Sequence, residues 1–200
     1  MPRPFLRVFA LALAFSAPAL ASEPVTKAQA LDAVRAFEAN ASGYVAASTT
    51  AQQAADAVAG AARTIVRYSL ESDDVVVDLG PDSVTWFDAG GNLSDVMRSG
   101  ERGVLVVAYL SGSVRAQLQM GKKDPNPYPG WIAMIKMYRA FKMRAGAAIP
   151  EVDALAARQV DGSLESFASA AVLRSRDSLR RTYGSNLSQP KQLVTASTRP

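Results

Sequence analysis

The 200-residue chain contains neither histidine nor cysteine. Without imidazole it has no His-based catalytic triad, no histidine metal ligand and no side chain tuned to shuttle protons near neutral pH. Without a thiol it forms no disulfide, offers no thiolate nucleophile and carries no lipid on an N-terminal cysteine. The two absences together leave structural zinc and haem without their ordinary ligands, so no metal and no cofactor is expected. Other signatures are missing too. There is no Gly-x-Ser-x-Gly, no Gly-x-x-x-x-Gly-Lys and no Gly-x-Gly-x-x-Gly. The one Ser-x-x-Lys, Ser188 to Lys191, is broken by Pro190 and reads as chance. No catalytic residue is assigned, and the chain reads as more binding protein than enzyme.

No apolar run reaches the roughly 20 residues that a membrane-spanning helix needs. The longest candidate lies at the start, where Arg3 and Arg7 precede the apolar residues Val8 to Phe15 and the small residues Ala19-Leu20-Ala21 follow. That order is the pattern of a secretory signal peptide over residues 1–21. Export without disulfides, in an Ala-rich chain, points to a bacterial envelope or secreted protein, periplasmic or beyond. Asn40, Asn92 and Asn186 each begin a glycosylation acceptor triplet, a pattern that matters only in a eukaryotic host. Residues 22–183 are expected to form one globular domain and 184–200 a mobile polar tail. About 179 residues can bury roughly 70% of the surface of the unfolded chain, enough for one core.

Charge is scarce overall but unevenly placed. The formal net charge of the whole chain is +4. Residues 22–101 hold 5 basic against 12 acidic side chains, a net of −7, and residues 102–200 hold 15 against 6, a net of +9. Such asymmetry favours electrostatic association with an anion, a membrane surface or a second copy, unless folding cancels it.

Thr26 and Gln29 have the spacing of a capping box, followed by Leu31, Val34 and Phe37, which predicts a helix to about residue 39. Thr50 and Gln53 repeat the pattern before a second helix whose inward stripe runs through Ala54, Val58, Ala61 or Ala62, Ile65 and Leu70. The β-branched Val75-Val76-Val77, the turn Gly80-Pro81-Asp82-Ser83, a strand over 84–87 and the turn Gly90-Gly91-Asn92 then suggest a hairpin. Residues 104–120 fit both an alternating strand and a helical face carrying Val104, Val107, Ala108, Ser111 and Leu118; the β-rich start favours strands. Three prolines make 122–130 a loop. Helices follow over 131–144, from Pro150 to about residue 158, and from Asp161 or Ser163 to residue 181. The expected fold class is therefore α+β: a helix-rich single domain with an antiparallel β-hairpin or meander at about 74–120, flanked by N- and C-terminal helices.

The sharpest chemical lead is WIAMIKMYRAFKMR, residues 131–144, with four cations and no anion. Met134, Met137, Tyr138 and Phe141 fall at i, i+3, i+4 and i+7, a narrow apolar face, with Lys136, Arg139 and Lys142 on the neighbouring arc and Ile132 and Ile135 among them. Burial of the four large apolar side chains is worth on the order of 6 to 12 kcal/mol. Three cations near an anionic leaflet contribute only about 3 kcal/mol. The apolar face should therefore enter the core and leave the cations outside. Lys122, Lys123, Lys136, Arg139 and Lys142 form the candidate anion-binding face, which Arg174, Arg176, Arg180 and Arg181 would extend.

These features make an exported, non-catalytic binding or accessory protein of the envelope the leading expectation, its basic half engaging an anionic envelope component or an acidic protein surface. Self-association through opposite charge is a second route. Nucleic acid is not an expected partner. The alternative is a carboxylate-dependent hydrolase of envelope polysaccharide, drawing on Glu71, Asp73, Asp74, Asp78, Asp82, Asp88 and Asp95. It requires two of these to face each other at roughly 5 to 9.5 Å.

Overall fold

A computed structural model describes residues 23–44, 51–86, 100–145 and 148–183. These contain six helices and no strand: α1 (Lys27–Tyr44), α2 (Ala51–Glu71), α3 (Glu101–Met120), α4 (Tyr128–Ala145), α5 (Pro150–Asp161) and α6 (Leu164–Tyr183). The α+β expectation is thus corrected to an all-helical fold, and no β-hairpin or meander occupies the described part of 74–120. The signal-peptide pattern, the Gly90 turn and the 184–200 tail lie outside the described residues.

Helix α1 starts as its sequence dictates. The Thr26 N–H donates to Gln29 Oε1 at 2.8 Å and the Gln29 N–H to Thr26 Oγ1 at 3.3 Å, so each satisfies a donor the helix end leaves open. Ala30, Val34, Phe37 and Ala41 form its buried stripe. On α2 the buried stripe is Val58, Ala61, Ala62, Ile65 and Tyr68. Leu70, expected inside, is 63% exposed, and Tyr68 takes the last inward position.

Helix α3 is the centre of the molecule, touching α1, α2 and α4. Every residue from 103 to 114 is buried. A helix enclosed on all sides carries no polar face and hence no 3.6-residue period, which is why Val104 to Leu110 resembles a buried strand in sequence. Gly121, at φ 63°, ends it in the left-handed conformation. The crossing of α3 and α4 is close because glycines face each other's helix. A Cβ on Gly112 would lie 2.7 Å from Ala133 Cβ, and one on Gly130 2.5 Å from Tyr109 Cδ2.

Residues 72–86 run without regular structure across these helices as a strap. The Val75–Val77 run is irregular chain, but its partner is a side chain rather than a strand. Gln117 of α3, 3% exposed, donates from Nε2 to Val76 O at 2.9 Å and accepts from Val76 N–H at 2.9 Å. Its Oε1 also accepts from the Asp124 N–H at 3.0 Å. One buried amide therefore does locally what a neighbouring strand would do. The turn at Gly80 forms as expected: Ser83 N–H and Val84 N–H both donate to Gly80 O, and Asp78 accepts from Gly80 N–H and the Ser83 hydroxyl. Tyr109 donates to Asp78 O at 2.9 Å and Trp131 Nε1 to Ser83 O at 2.6 Å, binding the strap to α3 and α4.

The proline-rich loop ends one turn earlier than expected. Asn126 Oδ1 accepts from the Tyr128 N–H at 3.0 Å, starting α4 there, and Pro129 sits in the first turn, where its missing N–H removes no helical bond. Pro150 begins α5, Gly162 at φ 80° ends it, and α6 follows almost at once. Phe167 of α6 stacks on Trp131 of α4 with centroids 5.6 Å apart, while Arg158 of α5 covers the Phe167 ring at 4.1 Å. That cluster joins the last three helices.

Candidate functional site

On α4 the apolar face is buried: Met134 is 0% exposed, Tyr138 and Phe141 each 1%, and Met137 8%. Ile135, expected among the cations, is also fully buried. The core consequently takes a wider arc than the narrow apolar face suggested. Among the described side chains of α4, the exposed ones are Lys136, Arg139, Lys142 and Met143. Half-buried Ile132 lies one turn before Lys136.

The five candidate cations are all exposed but do not form one cluster. Lys122 and Lys123 sit in the loop before α4, beside the end of α3. From the start of α4 to Lys142 the axial rise is about 20 Å, so this loop pair and Lys142 mark opposite ends of the helix. Lys142 is already engaged. Its Nζ donates to Asp153 Oδ1 of α5 at 2.6 Å and lies 5.7 Å from the Tyr138 ring. The hydrogen bond raises the Lys142 ammonium above its ordinary value and lowers the Asp153 carboxyl below its own. Lys136 and Arg139, one turn apart on the helix, form no ion pair among the described residues. No acidic residue occurs between Asn126 and Pro150 to supply one from the same stretch.

Elsewhere the two charged halves partly neutralise each other. Arg115 of α3 pairs with Glu38 of α1, and Arg174 of α6 with Asp82 of the strap at 2.8 Å. Arg174 also lies 5.3 Å from the Phe167 ring, so it belongs to the aromatic cluster more than to a cationic patch. Arg176 is exposed, and the Arg180 and Arg181 side chains lie outside the described ones. Part of the positive charge is thus consumed by internal partners, while Lys136 and Arg139 stay exposed neighbours with no ion pair among the described residues.

The acidic candidates are dispersed among structural roles. Glu71 accepts from Arg67 Nε at 2.8 Å. Asp74 meets Lys27 Nζ at 3.1 Å and accepts from the buried Tyr68 hydroxyl at 3.0 Å. The Lys27 hydrogen bond holds the Asp74 carboxyl below its usual range, while burial pushes the Tyr68 hydroxyl up. Asp78 closes the Gly80 turn and Asp82 holds Arg174. Asp73 is exposed; Asp88 and Asp95 lie outside the described residues. Among the described residues no group of three or more acidic side chains is placed to hold a metal ion. No helix there is long and apolar enough to cross a membrane.

The sequence reading missed the Gln117 grip and the Phe167 cluster. Only Arg174 carried a detectable signal, since the spacing of seven from Phe167 places the two on one side of α6. Comparison with protein-family models, with curated proteins and with solved structures finds no match to this chain.

Proposed function

We propose that the chain is an exported, non-catalytic binding or accessory protein of the bacterial envelope, and that it engages an anionic partner through the outer face of α4. One observation carries the reading: Lys136 and Arg139 are exposed neighbours without an ion pair among the described residues, on a stretch that lacks acidic residues. Two adjacent cations with no internal counter-charge are available to an external one, and they contribute roughly 2 kcal/mol near an anionic surface. Lys122 and Lys123 add a second, separate basic point at the other end of the helix. Export rests on the arrangement of Arg3, Arg7, the apolar run and Ala19 to Ala21.

Retention on a polyphosphate resin at low and high salt tests the charge reading. The protein should be held at low salt and released at high salt, and Lys136→Glu with Arg139→Glu should elute at clearly lower salt than the parent without changing the circular dichroism spectrum. Retention of the double variant equal to that of the parent would reject the assignment. Fractionation of a bacterial host expressing the full chain tests export, with accumulation of a shortened chain outside the cytoplasm as the expected result.

A further inference from the structure

The outer line of α4 is not purely cationic. Ile132, Lys136, Arg139 and Met143 stand at i, i+4, i+7 and i+11, one continuous stripe of a helix. Met143 is 83% exposed, the most exposed large apolar side chain among the described residues. It sits one turn beyond Arg139 and two beyond Lys136, so an unbranched apolar chain projects from the same strip as the free cations. Val160, at 81%, has Asp161 beside it in sequence, whereas the Met143 stretch contains no acid.

Building on the anion-binding reading, we infer that the surface this stripe meets is an anionic lipid bilayer, with Met143 entering the headgroup layer while Lys136 and Arg139 contact lipid phosphates. Charge complementarity decides the sign of the surface, and Met143 decides its kind. A soluble anionic polymer offers nothing to an exposed thioether, whereas the boundary between headgroups and acyl chains accepts an apolar side chain flanked by cations. The long Lys and Arg stems allow their charged ends to stay at phosphate level as the methionine goes deeper. An acidic protein surface is the competing occupant, and it would not respond to lipid composition.

The test is co-sedimentation of the full chain with vesicles of phosphatidylcholine alone and of phosphatidylcholine mixed with phosphatidylglycerol, beside retention on polyphosphate. Binding to the anionic vesicles only is expected. Met143→Ser should weaken it about tenfold, the loss expected for an apolar side chain withdrawn from the interface, and leave polyphosphate retention unchanged. Because Met143 is exposed, the variant should melt at the parent temperature. Retention on polyphosphate without vesicle binding, or equal vesicle binding by Met143→Ser and parent, overturns the bilayer assignment and leaves the charge reading standing. Failure to bind either probe overturns both.

Discussion

At the scale of the residue, three helical glycines have opposite roles that only packing reveals. Gly60 in α2 has open space around it, the nearest atom to an added Cβ being Arg63 Nη2 at 4.0 Å. Gly60→Ala should therefore stabilise the protein by up to about 1 kcal/mol, the helix-propensity gain. Gly112 and Gly130 lie where α3 and α4 touch, and a methyl group there collides with backbone and ring atoms. Gly112→Ala should lower stability by about 1 to 3 kcal/mol despite the same propensity gain. Urea titration of both variants checks the reversal of sign. The helical reading of 104–120 placed Ser111 on the buried face, but sequence spacing could not show that its neighbour Gly112 meets α4 or that Gly130 answers it from there. Gln117 was legible only as a polar residue in an alternating run. Its burial against Val76, 41 residues away, follows from no local pattern. Gln117→Ala removes three hydrogen bonds and should cost about 2 kcal/mol, less the share that water recovers at the partly exposed strap.

At the scale of the element, capping chemistry and proline placement were readable because they are local. The Thr26 and Gln29 box, the Gly80 turn and Pro150 at the start of α5 all appear where the residues put them. Central α3 was not readable. Its β-branched residues and lack of a polar face suit either a buried strand or a buried helix, and the choice was made by surrounding helices that the window does not contain. The junction of α1, α2 and the strap rests on Lys27, Tyr68 and Asp74, and it gives a pH dependence. Asp74 binds its proton less tightly in the folded chain than in the unfolded one, because Lys27 favours the carboxylate. The unfolded state therefore binds more protons in acid. The stabilisation is complete above the ordinary carboxylate range and is lost as pH falls through the lowered folded value. Asp74→Asn should reduce the melting temperature at neutral pH, and the gap from the parent should close on acidification. Thermal melts at several pH values measure it.

At the scale of the whole molecule, the charge count and the surface tell different stories. A sequence net of −7 followed by +9 suggests a strong dipole, yet Arg115 reaches Glu38 and Arg174 reaches Asp82, so part of the contrast is consumed inside the fold. Both pairs are partly exposed, and exposed pairs contribute only roughly 0 to 1 kcal/mol. Asp82→Asn should consequently change stability little, a result that equilibrium urea unfolding would show. The segment 131–144 was legible as a core helix with a basic outer side because its charge has one sign. The separation of Lys122 and Lys123 from Lys142, and the engagement of Lys142 by Asp153, depend on how α4 lies against its neighbours.

The amide that clasps the strap also has a kinetic consequence. Because Val76 finds its partner on a helix 41 residues further along, its N–H gains protection from solvent exchange only once α3 is in place. During refolding followed by pulsed deuterium labelling, the Val76 amide should be shielded later than amides inside α3, and in the native protein it should open through detachment of the strap alone.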